Sequence, residues 1–288
     1  MGSLHHLVLL LLALSVAAIE LSIGLDATLE DVTTLVRQPL RLLKAMAAVN
    51  LVTPLAAAVL IAVLPLTPAS KLALMFMAVA PVPPFAPAAA LRGGARRAYA
   101  YALYVTLVVL AIAVVPAMVE ILARVYGVDI AIGPIAVARK LGVAALLPLA
   151  IGMIVRRRFP AFAARAAPVL AKLGMGLVVV AAIGITAALW PRLATLIGDR
   201  TALAAILMVV TALVAGNLLG GPDPDDRATL GVTAAMRHPG IAILIATANR
   251  EDKQVELAIV MVFLAGLAAV LPYQVWLMRR LRRRRLSP

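Results

Sequence analysis

The chain contains no cysteine. Disulfides, thiolate metal sites and a cysteine nucleophile are therefore excluded. Histidine is nearly as scarce, and its three copies are too few for a His-rich metal centre. Aromatic residues make up 4% of the 288 and charged residues only 14%, where a soluble domain carries about 25% charged. Too little polar surface remains to cover a sphere in water. That excludes a soluble enzyme, a disordered chain and a free nucleic-acid-binding domain. No H-E-x-x-H, G-x-S-x-G, phosphate-cradling glycine loop before a lysine, or pair of intramembrane aspartates occurs either. The expectation is a protein that is not an enzyme and uses no cofactor.

What is present is aliphatic: 64% of residues are hydrophobic, and mean hydropathy is +1.05. A bilayer core about 30 Å thick needs about 20 apolar helical residues to cross it. Stretches free of Lys, Arg, Asp and Glu run 1–19, 45–70, 72–91, 98–119, 141–155, 173–191, 201–222 and 257–278, and a further stretch, 228–249, is interrupted only by Arg237. The fold class expected is an all-α polytopic membrane protein with about nine transmembrane helices. The first stretch lacks the basic leader and small-residue cleavage site of a signal peptide, so it is read as a helix.

Nine spans put the termini on opposite sides. With the N-terminus outside, one set of loops holds Arg37, Arg41, Lys44, Arg92, Arg96, Arg97, Arg156, Arg157, Arg158, Arg165 and Arg227, and with the tail it carries 17 Lys and Arg against 8 on the other set. The richer side faces the cytoplasm. N-out and C-in follows, in a bacterial-type inner membrane. The net charge of +14 is thus read as cytoplasmic loops and a tail held on anionic lipid rather than as a nucleic-acid partner. Tyr99, Tyr101, Phe159, Tyr273 and Trp276 near inner ends, and Tyr126 and Trp190 near outer ends, have the character of interfacial anchors.

Two spans cannot be ordinary helices. The third contains Pro81, Pro83, Pro84 and Pro87, and each proline removes a backbone donor and clashes with the preceding turn. The eighth carries Met236-Arg237-His238-Pro239-Gly240 in mid-span. Irregular backbone at membrane depth survives only inside protein or beside a water-filled cavity. The two breaks run in opposite directions, each in the third helix of its half, the second half being counted from about residue 169. Such matched interruptions point to a transporter with two inverted repeats and a midplane site. The halves are read as 1–140, with four helices and a break near 81–87, and 141–278, with five helices and a break near 236–240. A basic cytoplasmic tail, 279–288, follows.

At Gly24-Leu25, Asp31, Leu35, Arg37, Pro39, Pro54, the run Ala90 to Gly94, and Met236 and Gly240, the sequence resembles the bile acid:sodium symporter family. The resemblance extends over roughly residues 20–280. It implies inverted repeats, a core domain holding crossed discontinuous helices, and a panel domain. The positions that carry sodium ligands in that family hold Pro84, Phe85, Thr233 and Arg237 here, with Val49 beside Asn50, and Leu267 and Ala268 in the final helix. Little of an oxygen cage survives, so neither the sodium sites nor bile acid as substrate is carried over.

A cation at the bilayer centre costs on the order of 3 kcal/mol. Arg237 must therefore face protein or water. Its guanidinium either occupies the place of sodium's charge, or clamps an anionic substrate, or serves as a buried ion-pair member or carbonyl cap. His238 is a candidate proton carrier. Glu20, the acid inside the first span, either sits near the inner interface or reaches Arg237 or a cavity. Substrate contacts are expected from Arg237, His238, Thr233, Asn50 and Phe85, and coupling from His238 and Glu20. Gly216 and Gly220 form a small-xxx-small pair suited to helix packing. The function expected is a secondary transporter moving a small organic anion by alternating access, not strictly sodium-coupled. The alternatives are a sodium-coupled bile acid-type symporter, and a non-transporting membrane sensor or assembly subunit. Partners are the anion, the lipid bilayer, and H+ or Na+ as coupling ion.

Overall fold

The computed structural model describes residues 2–126, 133–195, 200–248 and 253–286, and among these the regular structure is all helical. Among the described residues seven helices are long and apolar enough to cross a membrane: Pro39–Val63, Arg97–Ile121, Ile135–Arg158, Pro160–Gly184, Thr201–Leu219, Pro224–Thr247 and Lys253–Arg280. They coincide with seven of the nine expected stretches. The first stretch is α1 (Gly2–Asp26), and the third is the short pair α5 (Pro68–Val79) and α6 (Ala86–Arg92).

Proline sets several of the boundaries. The second span comprises α3 (Pro39–Met46), a π-helical turn (Ala47–Val52) and α4 (Thr53–Val63). Pro54 has no N–H, and the helix widens by one residue per turn just before it. A second π-turn (Gly142–Leu146), between α8 (Pro134–Leu141) and α9 (Leu147–Arg158), likewise ends two residues before Pro148. The junction expected between residues 140 and 141 falls inside this helical run. Between α1 and α3, Asp31 and Leu35 lie in a short helix, α2 (Leu29–Val36), rather than in an open loop; Thr28 and Asp31 close it with a reciprocal capping box.

α7 (Arg97–Tyr126) follows a tight turn in which Gly94 adopts φ +95, a conformation open to glycine. A single residue, Phe159, separates α9 from α10 (Pro160–Thr195), so Arg165 lies on a helix and not in a loop. α11 (Thr201–Leu219), α12 (Pro224–Ala235), α13 (Pro239–Ala248) and α14 (Lys253–Leu286) complete the chain. The expected tail continues α14 as helix to Leu286, with Arg280 stacked over Trp276 at 5.6 Å.

The helices sort into two groups. α1 packs along α9 and α10, and forms a panel with them. Gly24 and Gly152 make the close approach possible: a Cβ at Gly24 would lie 2.1 Å from the Leu149 carbonyl oxygen. The other group is a core in which α11 packs on α4, α12 and α14, and α14 on α5. Gly216 plays the expected packing role, since a Cβ there would sit 2.6 Å from the Gly231 Cα of α12. Outward faces carry Leu43, Leu51, Val59, Phe162, Leu173 and Ile183 in the open, the surface that lipid covers.

Candidate substrate and coupling site

Both broken helices open where the prolines require. α5 ends at Val79 and α6 starts at Ala86; α12 ends at Ala235 and α13 starts at Pro239. The gaps are narrower than the sequence suggested. Pro87 and Pro239 lie in the first turn of the restarted helices, where an N–H has no intrahelical partner to lose. α5 packs beside α13 and α6 beside α12, so the two interrupted helices cross. At the crossing the His238 backbone N–H donates to the Pro81 carbonyl at 3.0 Å. The buried interior also divides there: one cluster gathers Val82, Ala86 and Met236, the other Val79, Ala80 and Ile241.

Arg237 is 4% exposed and sits in this crossing. One guanidinium nitrogen donates to the Ala80 carbonyl at 3.2 Å, and the other to the Val49 carbonyl. Both acceptors are orphans of proline. In the helical register Ala80 would receive the N–H of residue 84, which is Pro84. In the π register Val49 would receive that of residue 54, which is Pro54. A single cation thus caps the end of α5 and the π-turn of the second span, while its Nε–H is buried without a partner. Of the three roles open to Arg237 on sequence grounds, this geometry matches the carbonyl cap. The void beside it, lined by Phe85, Met236 and Gly266 among others, has a volume of about 20 Å³, room for a water and no more.

A far larger cavity of about 660 Å³ lies between panel and core. Its floor is Pro84, Phe85, His238, Pro239 and Gly240; its walls come from α1, α9, α10, α13 and α14. Among the described lining residues, Ser15, Thr186 and His238 interrupt an otherwise apolar or backbone surface. Phe85 borders both spaces, and Arg237 borders only the small one. The His238 Nδ1 is buried with no partner, and faces the Cα of Gly240, where an added Cβ would lie 3.3 Å away.

Of the other expected contacts, Thr233 is buried in the last turn of α12, outside both linings. Asn50 stays on its own helix, its amide nitrogen 3.4 Å from the Met46 sulfur. Glu20 reaches neither Arg237 nor the cavity. It is 1% exposed and accepts a 2.5 Å hydrogen bond from Tyr104 of α7. Ser15, Thr186 and Tyr104 went unnoticed in the sequence. Tyr104 had one signal: Arg97, Tyr101 and Tyr104 share a face of α7 at helical spacing.

The basic ends of the helices are tied together. Arg97 meets Asp26 at 2.6 Å, and Tyr101 donates to the same carboxylate at 3.0 Å. Arg156 caps the end of α1 through the Leu25 and Asp26 carbonyls. Arg96 grips the buried Asp226 at 2.5 Å and approaches Asp223 at 3.4 Å. The Asp223 carboxyl is held below its ordinary range, first by the Asp225 backbone N–H and then by Arg96.

Residues 12–190, more than half of the chain, match the family described as the Sodium Bile acid symporter family. The chain belongs to that family. Its resemblance at Gly24, Pro39, Pro54 and the Ala90 to Gly94 exit falls inside the matched region, while Arg237 and the second broken helix lie beyond it. No curated protein matches the chain. Members of this family are secondary transporters, and the run of long apolar helices makes the chain a polytopic membrane protein of that type.

Proposed function

We propose that this family member is a secondary transporter that carries a small organic anion with an apolar body by alternating access of core against panel. One observation carries the reading: a ligand-sized cavity between the two helix groups, floored by the breaks of two crossed helices. Its apolar walls suit a hydrocarbon body, and the His238 imidazole is the polar group on its floor. The loop charges favour the N-terminus outside and the C-terminus in the cytoplasm of an inner membrane. On that orientation the Asp26–Arg97 and Asp226–Arg96 ties lie at the inner side.

Arg237 acts in this reading as a tethered cation. It holds the crossing from behind Phe85, where its charge removes the need for a bound sodium ion. The family supports a second reading, a sodium-coupled symporter of bile acid type. Proteoliposomes loaded in sodium or potassium decide between them. Saturable flux of an organic acid in both media supports the proposal; flux only with sodium supports the second reading. Binding of such an acid without flux would refute both in favour of a sensor.

A further inference from the structure

We propose that Glu20 is a proton-binding site whose occupancy is tied to the contact of panel helix α1 with α7, a helix that also packs on α5, α6 and α12 of the crossed-helix group. This rests on the alternating-access reading above, in which that contact must open. The Glu20 carboxyl is 1% exposed, takes one hydrogen bond from the Tyr104 hydroxyl, and leaves Oε2 buried with no partner. An ionised carboxylate so placed has one neutral donor and no bonded cation. Leaving a buried charge unpaired costs far more than leaving a neutral oxygen unpaired. In this arrangement Glu20 carries its proton.

The surroundings isolate it. From α7, Tyr104 donates to Glu20, and Tyr101 and Arg97, further along the same face, are both engaged with Asp26. From α9, Arg156 is spent on the carbonyls of Leu25 and Asp26. From α10, buried Ala163, Ala167 and Gly174 lie on the packed side while Arg165 and Lys172 are exposed. The π-turn Gly142–Leu146 holds no titratable residue. The second contact of the seam, Asp26 with Arg97 and Tyr101, is charged and nearer solvent. Parting α1 from α7 would wet Glu20 and let it release its proton to that water; closing the seam takes the proton back. No other covalent bond changes; the Tyr104–Glu20 hydrogen bond and the contacts of Asp26 with Arg97 and Tyr101 break and re-form with the seam.

Because the chain has no cysteine, one placed at Ala27 reports the seam. Ala27 is 1% exposed and belongs to the same buried cluster as Leu35 and Tyr101. Alkylation of Ala27→Cys in the full-length purified protein, followed from about pH 5 to 9, should rise with pH by up to about tenfold per unit relative to the same reporter in Glu20→Gln. Glutamine keeps the acceptor for Tyr104 but cannot titrate; Glu20→Asp should retain the pH response. An infrared carboxylic-acid band at neutral pH should disappear in Glu20→Gln. Identical alkylation profiles in the two backgrounds, or no Glu20-dependent band, would overturn the proposal. Neither readout needs a substrate. A protein without anion flux would leave a positive result standing, and a fluxing protein whose reporter ignores Glu20 would lose only the proton site.

Discussion

Replacing Arg237 by alanine removes the donors that reach two proline-orphaned carbonyls, those of Ala80 and Val49. Hydrogen bonds from a charged donor contribute about 1.5–3 kcal/mol each. Two of them give about 3–6 kcal/mol, and relief of the desolvated guanidinium returns part of it. The net loss is set at about 2–4 kcal/mol. At roughly 2–4 °C per kcal/mol the apparent melting temperature should fall by roughly 5–15 °C. Arg237→Lys keeps the charge on a single point without the planar fork, so it should lose about half as much. Arg237→Met fills the volume without a donor and should resemble alanine. The assay is thermal unfolding in detergent at one scan rate, since membrane proteins seldom refold on cooling. Organic-acid binding, measured on the same variants as ligand-induced stabilisation, should persist where the protein remains folded. If Arg237→Ala melts with the parent yet binds no anion, the guanidinium holds substrate and the carbonyl-cap argument is wrong.

Exchanging sodium for potassium should alter flux less than about threefold, a coupling well under 1 kcal/mol, because Pro84 and Phe85 offer no side-chain oxygen and Arg237 already engages backbone. A steep, saturable sodium requirement in flux would refute this. Cysteines placed singly at Ala95 and Ala161 should resist an impermeant thiol reagent from outside and react once the membrane is permeabilised; labelling of both from outside reverses the topology. Gly24→Val should destabilise by about 3 kcal/mol, at the upper end for overpacking, because the clash is with the Leu149 carbonyl of α9 and backbone cannot turn aside. Parent-like melting of that variant would show that α1 and α9 are not held this closely.

The spans and breaks were legible because hydropathy and proline act locally. Four prolines in seven residues, and Arg-His-Pro-Gly in mid-span, name their own interruptions before any tertiary contact is known. The partners were not legible, because they are set by what crosses what. Arg237 invited a search for an acid, and Glu20 was the acid to hand; its partner proved to be backbone. Val49 and Ala80 carry no side-chain signal, and their carbonyls become acceptors only through a proline several residues further on. Asn50 was read from its polarity, and helical register leaves it beside Met46. The cavity wall is built of residues indistinguishable in sequence from lipid-facing ones.

A fixed charge at the crossing has a consequence for coupling. A bound ion that stabilises the crossed helices can leave and return, so its binding can drive transport. A guanidinium on a covalent tether cannot leave. On the proposed reading, Arg237 holding Ala80 and Val49 keeps the crossing together without a bound ion, and the side-chain oxygens that a sodium ion needs are free to become Pro84 and Phe85. Energy coupling must then come from a group whose charge can change. Among the described residues, the interior candidates with no bonded charge partner are His238 and Glu20, Asp226 being paired with Arg96. His238 lies on the cavity floor and interacts with whatever the cavity holds. Glu20 lies on the seam that has to part. A sodium-independent, pH-sensitive transporter is therefore one prediction rather than two: steep sodium dependence would return the cation's place at the crossing to a mobile ion and remove the reason to look for a proton.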